Sequence, residues 1–326
     1  MDVSLRPLDD KDLAAWAALL AAVEEVDRTG EHYAADDLTE MLADPDVDVG
    51  KDAVGAFDAD GRLVGYWLVA PRAATDGVVT VETQGAVLPG LRGRGIGTRL
   101  VASMVERAVL ARDERQPDLP ARLVTTGGSS DVAQAGLLAS VGLQPERWTF
   151  VMRASVDALP PAQPLPDGYR VRPYDGSMAD ALRETHNAAF VDLPGATTVS
   201  EARWRQSVTE SRNFRPDMSF VASPVGSDQI VAYVQTAEFE ADFAATGRRE
   251  AYVAKVGTLR AHRGKGLAAA LLGSAVHAYR AAGYDEAALA VDSENPTGAL
   301  GVYRRVGFAV ESRWTNYAMT ADVRAG

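Results

Sequence analysis

Apolar positions along this chain recur with two periods, every second residue in some stretches and every third or fourth in others. These stretches follow one another twice in the same order. An opening strand, Leu5-Arg6-Pro7-Leu8-Asp9, leads to an amphipathic helix predicted from Asp12 to Val26; Val171-Arg172-Pro173-Tyr174-Asp175 and a helix from Met178 to Phe190 repeat the pair. Strands are then predicted over Ala53 to Phe57 and Arg62 to Ala70, and again over Ser219 to Ala222 and Gln229 to Ala237. A long strand follows, Gly77 to Leu88 in the first set and Ala251 to Leu259 in the second. Beyond a glycine-bearing loop, Ile96, Leu100, Met104 and Ala108 step by a helical turn, as do Leu267, Leu271, Ala275 and Tyr279, with Gly283 placed as a helix stop. A strand (Arg122 to Thr126; Glu286 to Val291), a short helix and a final strand complete each set. Strands mixed with a few helices predict a central sheet with helices packed on its faces.

The repetition extends to the residues themselves. Leu63-Val64-Gly65-Tyr66-Trp67 returns as Ile230-Val231-Ala232-Tyr233-Val234, Arg92-Gly93-Arg94-Gly95-Ile96-Gly97 as Arg263-Gly264-Lys265-Gly266-Leu267-Ala268, and Val141-Gly142-Leu143 as Val306-Gly307-Phe308, each about 165–171 residues on. Matches in one order at nearly one spacing imply a duplicated domain, and 326 residues suit two domains. Between the copies, Asp157 to Gly168 carries Pro160, Pro161, Pro164 and Pro166, which fix φ and remove backbone donors. The expected division is an N-terminal domain over 1–157, an extended, semi-rigid linker over 158–168 and a C-terminal domain over 169–326. Asp113 to Pro120, polar and ending in proline, is expected to be a loop insertion in the first copy.

A hydrophobic fraction of 47% with 24% charged residues allows each half its own packed core. The formal net charge of -12 argues against a nucleic-acid or anionic-membrane partner, while leaving room for a local basic pocket. The absence of cysteine removes disulfides, thiolate metal sites and a cysteine nucleophile, and suits a reducing compartment. Met1 to Arg6 lacks the basic-then-apolar pattern of a secretory signal, and no apolar run approaches the ~18 residues of a membrane span, so a cytoplasmic protein is expected. His32, His186, His262 and His277 are scattered without metal-ligand spacing, so no metal is expected.

The strongest chemical signal is the basic, glycine-bearing loop between the long strand and the helix. Alternate glycines let the backbone turn tightly and approach a ligand. The helix that follows opens with unsatisfied N–H groups and the positive end of its dipole, which together suit a pyrophosphate. Arg92 and Arg94, or Arg263 and Lys265, are expected to add cationic donors, with Arg260 and His262 nearby. A P-loop would need Gly-x4-Gly-Lys-Ser/Thr, which is absent. A dinucleotide fingerprint is disfavoured because the preceding strand falls late in its domain and no ribose-binding acid follows.

Both loops match Arg/Gln-x-x-Gly-x-Gly/Ala, and Asn295-Pro296-Thr297-Gly298-Ala299-Leu300-Gly301-Val302-Tyr303-Arg304-Arg305-Val306-Gly307-Phe308 carries a closing Asn…Ala…Tyr…Gly-Phe pattern. In these features the chain resembles the GNAT acetyltransferase superfamily, once per half. The resemblance implies an α/β (α+β) fold of two tandem domains, each with a mixed, mostly antiparallel sheet. It implies acetyl-CoA as the acyl donor, with main-chain groups near Val256, Gly257 and Thr258, and near Gly85, Ala86 and Val87, pairing with the pantetheine arm. The amides of Arg263, Gly264, Lys265, Gly266, Leu267 and Ala268, and of Arg92, Gly93, Arg94, Gly95, Ile96 and Gly97, would hold the pyrophosphate, and Asn295 would contact the coenzyme.

Asn295 suits an N-cap and Pro296 a first helical position, so a short helix is predicted from there. Tyr303 falls near Asn295's side of that helix, and the resemblance makes it the acid that protonates the departing thiolate. In the first copy Leu138 and Ser130 stand where Tyr303 and Asn295 do, so chemistry is expected in the C-terminal half alone, the N-terminal half being weak or silent while keeping a coenzyme loop. Glu238, Glu240 and Glu250 flank the long strand where the family often keeps a carboxylate; Glu250 is favoured as base.

The expected acceptor is a primary amine of a small molecule or a peptide amino terminus. The tandem arrangement also resembles enzymes that acetylate a cysteinyl amino-sugar conjugate, but Ala290 stands where those carry a substrate-contacting tyrosine. A non-catalytic acyl-CoA sensor is the alternative of another class. The sequence sets no oligomeric state; two fused copies already form an internal pseudo-dimer, compatible with a monomer.

Overall fold

The structure, a computed structural model, describes residues 2–193, 196–295 and 297–323. The chain runs β1 (Ser4–Pro7), α1 (Leu13–Asp27), α2 (Ala35–Leu42), α3 (Val49–Asp52), β2 (Ala53–Phe57), β3 (Leu63–Pro71), β4 (Val79–Val87), α4 (Ile96–Arg115), β5 (Ala121–Gly128), α5 (Val132–Ser140) and β6 (Gln144–Ser155). It continues with β7 (Tyr169–Pro173), α6 (Ala179–Phe190), α7 (Glu201–Trp204), β8 (Phe220–Pro224), β9 (Ala232–Ala237), α8 (Glu240–Thr246), β10 (Glu250–Thr258), α9 (Leu267–Ala281), β11 (Glu286–Asp292), α10 (Ala299–Arg305) and β12 (Ala309–Ala321). The predicted elements appear in the predicted order, with α2, α3, α7 and α8 in addition. Among the described residues no helix is long and apolar enough to cross a membrane.

The chain divides into two compact units that do not coincide with the expected domains. Unit 1 comprises Met1–Arg147 with Trp314–Gly326, and unit 2 comprises Trp148–Arg313. The sheet of unit 1 runs β1-β2-β3-β4-β5-β12 and that of unit 2 runs β6-β11-β10-β9-β8-β7. Each sheet is therefore finished by the last strand of the other repeat. β12 lies antiparallel to β5, from Trp314 opposite Gly128 to Ala321 opposite Ala121. β6 lies antiparallel to β11, from Thr149 opposite Asp292 to Ser155 opposite Glu286. The expected closing of each repeat on itself, with boundaries at 157 and 169, is corrected here. An alternating strand pattern specifies a buried face, and either neighbour supplies one.

Packing accounts for where each exchanged strand settles. Met152 and Ala154 of β6 are buried in a core with Leu271, Leu272, Tyr279 and Phe308 of unit 2. Tyr317 of β12 is buried with Trp16, Leu100, Met104 and Leu123 of unit 1. Arg112 of α4, fully buried, donates to the carbonyls of Leu119 (2.7 Å), Asp322 (3.2 Å) and Ala321 (3.4 Å), tying the end of β12 to unit 1. A second cluster in unit 2 gathers Leu182, Trp204, Val221 and Tyr233.

Two further expectations change. The stretch from Asp113 to Pro120 first extends α4 through Arg115 and only then forms the loop. The proline-rich segment belongs to unit 2 rather than bridging domains: Leu159 and Leu165 pack on its core, and Ala162 and Gln163 lie against Gly273 of α9.

In each unit a single pair of neighbouring strands is parallel, and the helix between them makes the crossover that parallel strands require. Val79–Glu82 of β4 pair with Ala121–Val124 of β5, and Glu250–Tyr252 of β10 pair with Glu286–Ala288 of β11. Past these residues the two strands diverge, opening a wedge in the sheet.

Ending the chain after Arg313 should destabilise unit 1, since burial of Tyr317 alone is worth ~2–3 kcal/mol. Scanning calorimetry is expected to show a low-temperature transition that the full chain lacks.

Candidate active site

The wedge of unit 2 sits beside the glycine loop. β10 pairs with β9 along its length but shifts register between Val253 and Lys255, so Ala254 is an extra, bulged residue. Ala251 and Val253 face the core under α9. Val256, Gly257 and Thr258 keep β9 partners in Val234, Tyr233 and Ala232, while their β11 side is open. Main-chain groups there lack a ladder partner and are placed to pair with an extended ligand. A Cβ on Gly257 would meet the ring of Tyr233 at 2.3 Å, so glycine is required for that ring to cross the strand. In unit 1, Ala86 and Val87 lie on the matching stretch of β4, opposite Tyr66 and Gly65, with no register shift. There Thr83 Oγ1 donates to the carbonyl of Val124 (3.1 Å) where the wedge begins.

The loop after β10 turns at Gly264 (φ 74°) and Gly266 (φ 83°), and that after β4 at Gly93 (φ 75°) and Gly95 (φ 83°). At all four positions an added Cβ would meet no protein atom within 4 Å, so the left-handed torsion demands glycine and the space above the loop is open. Gly266 and Gly95 are also the N-caps of α9 and α4 and offer no capping side chain. Among the described residues the amides of Gly264, Lys265 and Gly266 meet no protein acceptor. An uncapped helix start behind such amides is an anion site. Leu267 and Ile96, each 1% exposed, turn their side chains into the cores, leaving only their main chain for the loop; Ala268 and Gly97 follow in the first helical turns.

The first arginine of each loop is held by protein groups. Arg263 donates to the carbonyls of Ala189 (2.7 Å) and Thr258 (3.1 Å) and to Asp192 (2.8 Å). Arg92 donates to the carbonyl of Val87 (3.2 Å) and, through both terminal nitrogens, to Asp27 (2.7 and 2.6 Å). These guanidinium groups staple the loop to the end of the long strand and to the end of the first helix of the repeat. Both guanidinium groups are thus engaged by protein partners at the foot of the loop. Asp27 and Asp192 were missed by sequence reasoning, although each follows the same amphipathic helix of its repeat. Lys265 Nζ remains at the surface, 3.3 Å from the Tyr169 hydroxyl, which also bonds His262 Nδ1 (2.8 Å).

The closing element also differs in detail. α10 starts at Ala299 with Gly298 (φ 71°) as N-cap, not at Asn295. Asn295 Oδ1 instead accepts from the amide (2.9 Å) and hydroxyl (2.6 Å) of Thr297, a local turn that competes with helix entry. Pro296, the expected first helical residue, lies outside the described residues. Tyr303 is 8% exposed, packs edge-on against Phe308, and its hydroxyl makes no hydrogen bond to a described protein group. Burial pushes its pKa up to about 12. In unit 1 the buried Leu138 occupies the matching place on α5.

The three candidate carboxylates have separate fates. Burial opposes ionisation of Glu238, but hydrogen bonds from Arg249, Tyr284 and Arg215 outweigh it and hold its carboxyl at about 2. Glu240 is exposed and paired with Arg212 (2.8 Å). Glu250 opens β10 with a side chain 12% exposed, and burial pushes its carboxyl up to about 7; nearby Arg153 pulls it down, and Asp242, Glu286 and Glu311 push it up. His186 was set aside in the sequence, yet its Nδ1 lies 2.6 Å from the hydroxyl of Tyr233, above Gly257. Burial, with Lys255 and Arg203 adding to it, lowers its pKa to about 4 and keeps it neutral. The repeat of Tyr66 at Tyr233 was the signal available for this pair.

Comparison with known proteins agrees with this architecture. The sequence profile of the acetyltransferase (GNAT) family matches residues 18–115 and 179–308. The chain is 31% identical over 264 residues to a mycothiol acetyltransferase of Thermobispora bispora, covering 79% of each chain. It is 32% identical over 268 residues to that of Mycolicibacterium vanbaalenii, covering 80% of each. Among solved structures, a GCN5-related N-acetyltransferase from Sphaerobacter thermophilus superposes with a TM-score of 0.75 at 27% identity, over 99% of this chain and 96% of that one. A tandem GNAT protein from the clavulanic acid biosynthesis pathway superposes with a TM-score of 0.69 at 21% identity, over the whole of both chains. With a wedge, an anion loop and a closing tyrosine on a tandem fold, this chain belongs to the GNAT acetyltransferase family, and it is an N-acetyltransferase.

Gly266→Ala places an L-residue at a torsion only glycine adopts freely and should cost ~1–2 kcal/mol. Urea denaturation of the variant is expected to show that loss in the transition of unit 2.

Proposed function

We propose that unit 2 transfers the acetyl group of acetyl-CoA to a primary amine of a small molecule or a peptide amino terminus. The observation that carries this reading is the open wedge of β10 lying directly before an uncapped, glycine-lined helix start. The open main-chain groups of Val256 to Thr258 suit the amides of a pantetheine arm, and the loop amides suit a diphosphate. When bound, the thioester supplies the activated acyl group. The amine nitrogen attacks the thioester carbonyl, a main-chain N–H of β10 polarises that carbonyl, and the carbon–sulfur bond breaks. Tyr303 gives its hydroxyl proton to the leaving sulfur. Glu250, directly or through water, accepts the proton that the amine loses.

Unit 1 keeps the loop and the wedge but has Leu138 where an acid is needed, so it holds coenzyme without turnover. The names of the relatives favour a second reading of the acceptor, a mycothiol-type cysteinyl amino-sugar conjugate. Ala290 on β11 is exposed and offers no ring for a sugar, which favours a different amine. Coenzyme A release measured across a panel of amines, the conjugate included, decides between them; binding of acetyl-CoA with turnover on none supports a sensor instead.

Tyr303→Phe is expected to lower kcat by ~10²-fold or more while acetyl-CoA binding by calorimetry is kept. Unchanged turnover removes the acid role. Since Glu250 accepts a proton only when ionised, kcat/KM should fall as the pH drops below about 7 and level off above it. A profile flat from pH 5 to 9 would contradict the base.

A further inference from the structure

Glu250 does not stand alone on its strand. In the parallel register it is directly opposite Glu286 of β11, and Arg153 of β6 is opposite Ala288. Period-two alternation puts Glu250, Glu286 and Arg153 on one face, with Arg153 a diagonal neighbour of Glu286. Arg153 Nη1 lies 3.0 Å from carboxylate oxygens of both Glu250 and Glu286. Its Nε lies 2.7 Å from Glu311 of β12, an ion-pair contact out of line for a hydrogen bond. Arg248 takes the other oxygen of Glu286 at 2.7 Å. Asp242 of α8 adds another negative charge toward Glu250.

Within the same unit, Glu238 supplies a comparison. Three donors serve that one carboxylate, which is thereby a permanent anion. Around Glu250 the ratio is inverted, with Arg153 shared by three carboxylates and Arg248 reaching Glu286. Such a share is enough to hold a carboxylate in place and too little to keep it ionised far below neutrality.

We propose that Arg153 is a positioning residue for acetyl transfer, orienting the carboxylate of Glu250 and setting its proton affinity by dividing one guanidinium among Glu250, Glu286 and Glu311. The proposal rests on Glu250 being the base. It also gives the exchanged strand β6 a chemical task, since a residue from the end of the first repeat tunes the site of the second.

The test is the pH dependence of kcat/KM in the full chain with acetyl-CoA and an accepted amine. Arg153→Met should move the acidic limb up by about one pH unit, so that the rate at pH 7 falls up to about tenfold and recovers toward pH 9. Arg153→Lys should return the limb close to its wild-type position. Glu311→Gln, at an exposed side chain, removes a competing negative charge and should move the limb down by a few tenths of a unit. If Arg153→Met does not fold, Glu311→Gln decides. Limbs that coincide with wild type in Arg153→Met and Glu311→Gln overturn the role of Arg153. Glu250→Gln separates the two readings: a limb that persists there overturns the base itself. A limb lost there yet unmoved in Arg153→Met and Glu311→Gln overturns the positioning role alone.

Discussion

Main-chain polar groups in a folded protein need partners, and the local structure of this chain leaves several without one at a single place. Parallel pairing of β10 with β11 stops after Tyr252, so the second half of β10 presents unladdered groups along one side. The loop that follows adds amides with no protein acceptor, and α9 begins on a glycine that cannot cap it. Any one of these would be met by water at little cost. Arranged in sequence along one strand, one turn and one helix, they form a continuous set of main-chain donors and acceptors, which the proposed function gives to the coenzyme. The surrounding packing serves to hold that set open, as when Arg263 fastens the loop to Thr258, Ala189 and Asp192.

The two repeats share this scaffold but have diverged in chemistry. Both keep left-handed glycines in the loop, an arginine staple and a wedge. Only the second has a bulge at Ala254 and a buried tyrosine on its closing helix; the first has an unshifted β4 and a leucine. Loss of a reactive group with retention of the torsions and staples around it is what independent constraints produce. Left-handed glycines and a half-exposed ion pair shape the loop in both repeats, whereas the hydroxyl of Tyr303 bonds to no described protein group and its loss would leave the packing intact.

Order and type of the elements were legible in the residues because apolar periodicity and glycine placement act locally. The glycine loops were read from their place between a strand and a helix, whereas Tyr303 and Glu250 were proposed only through the resemblance to the GNAT family. What stayed hidden is non-local. The partner of β6 is chosen by the edge of β11 in another repeat, and no pattern within residues 144–155 names it. The start of α10 turns on whether Asn295 caps a helix or closes its own turn with Thr297, two uses of one oxygen with similar energies. The acids that hold Arg92 and Arg263 could not be read either, because Asp27 and Asp192 lie 65 and 71 residues away in the chain.

The exchanged strands also impose an order on biosynthesis. Residues 314–321, the last strand of the first sheet, leave the ribosome only after the second repeat has been made. Throughout elongation of the second repeat, β5 must wait with a bare edge, which is the kind of surface that recruits chaperones or mispairs with neighbouring nascent chains. A gene split at the proline-rich segment would deliver two products that each carry the other's missing strand, recoverable only by complementation.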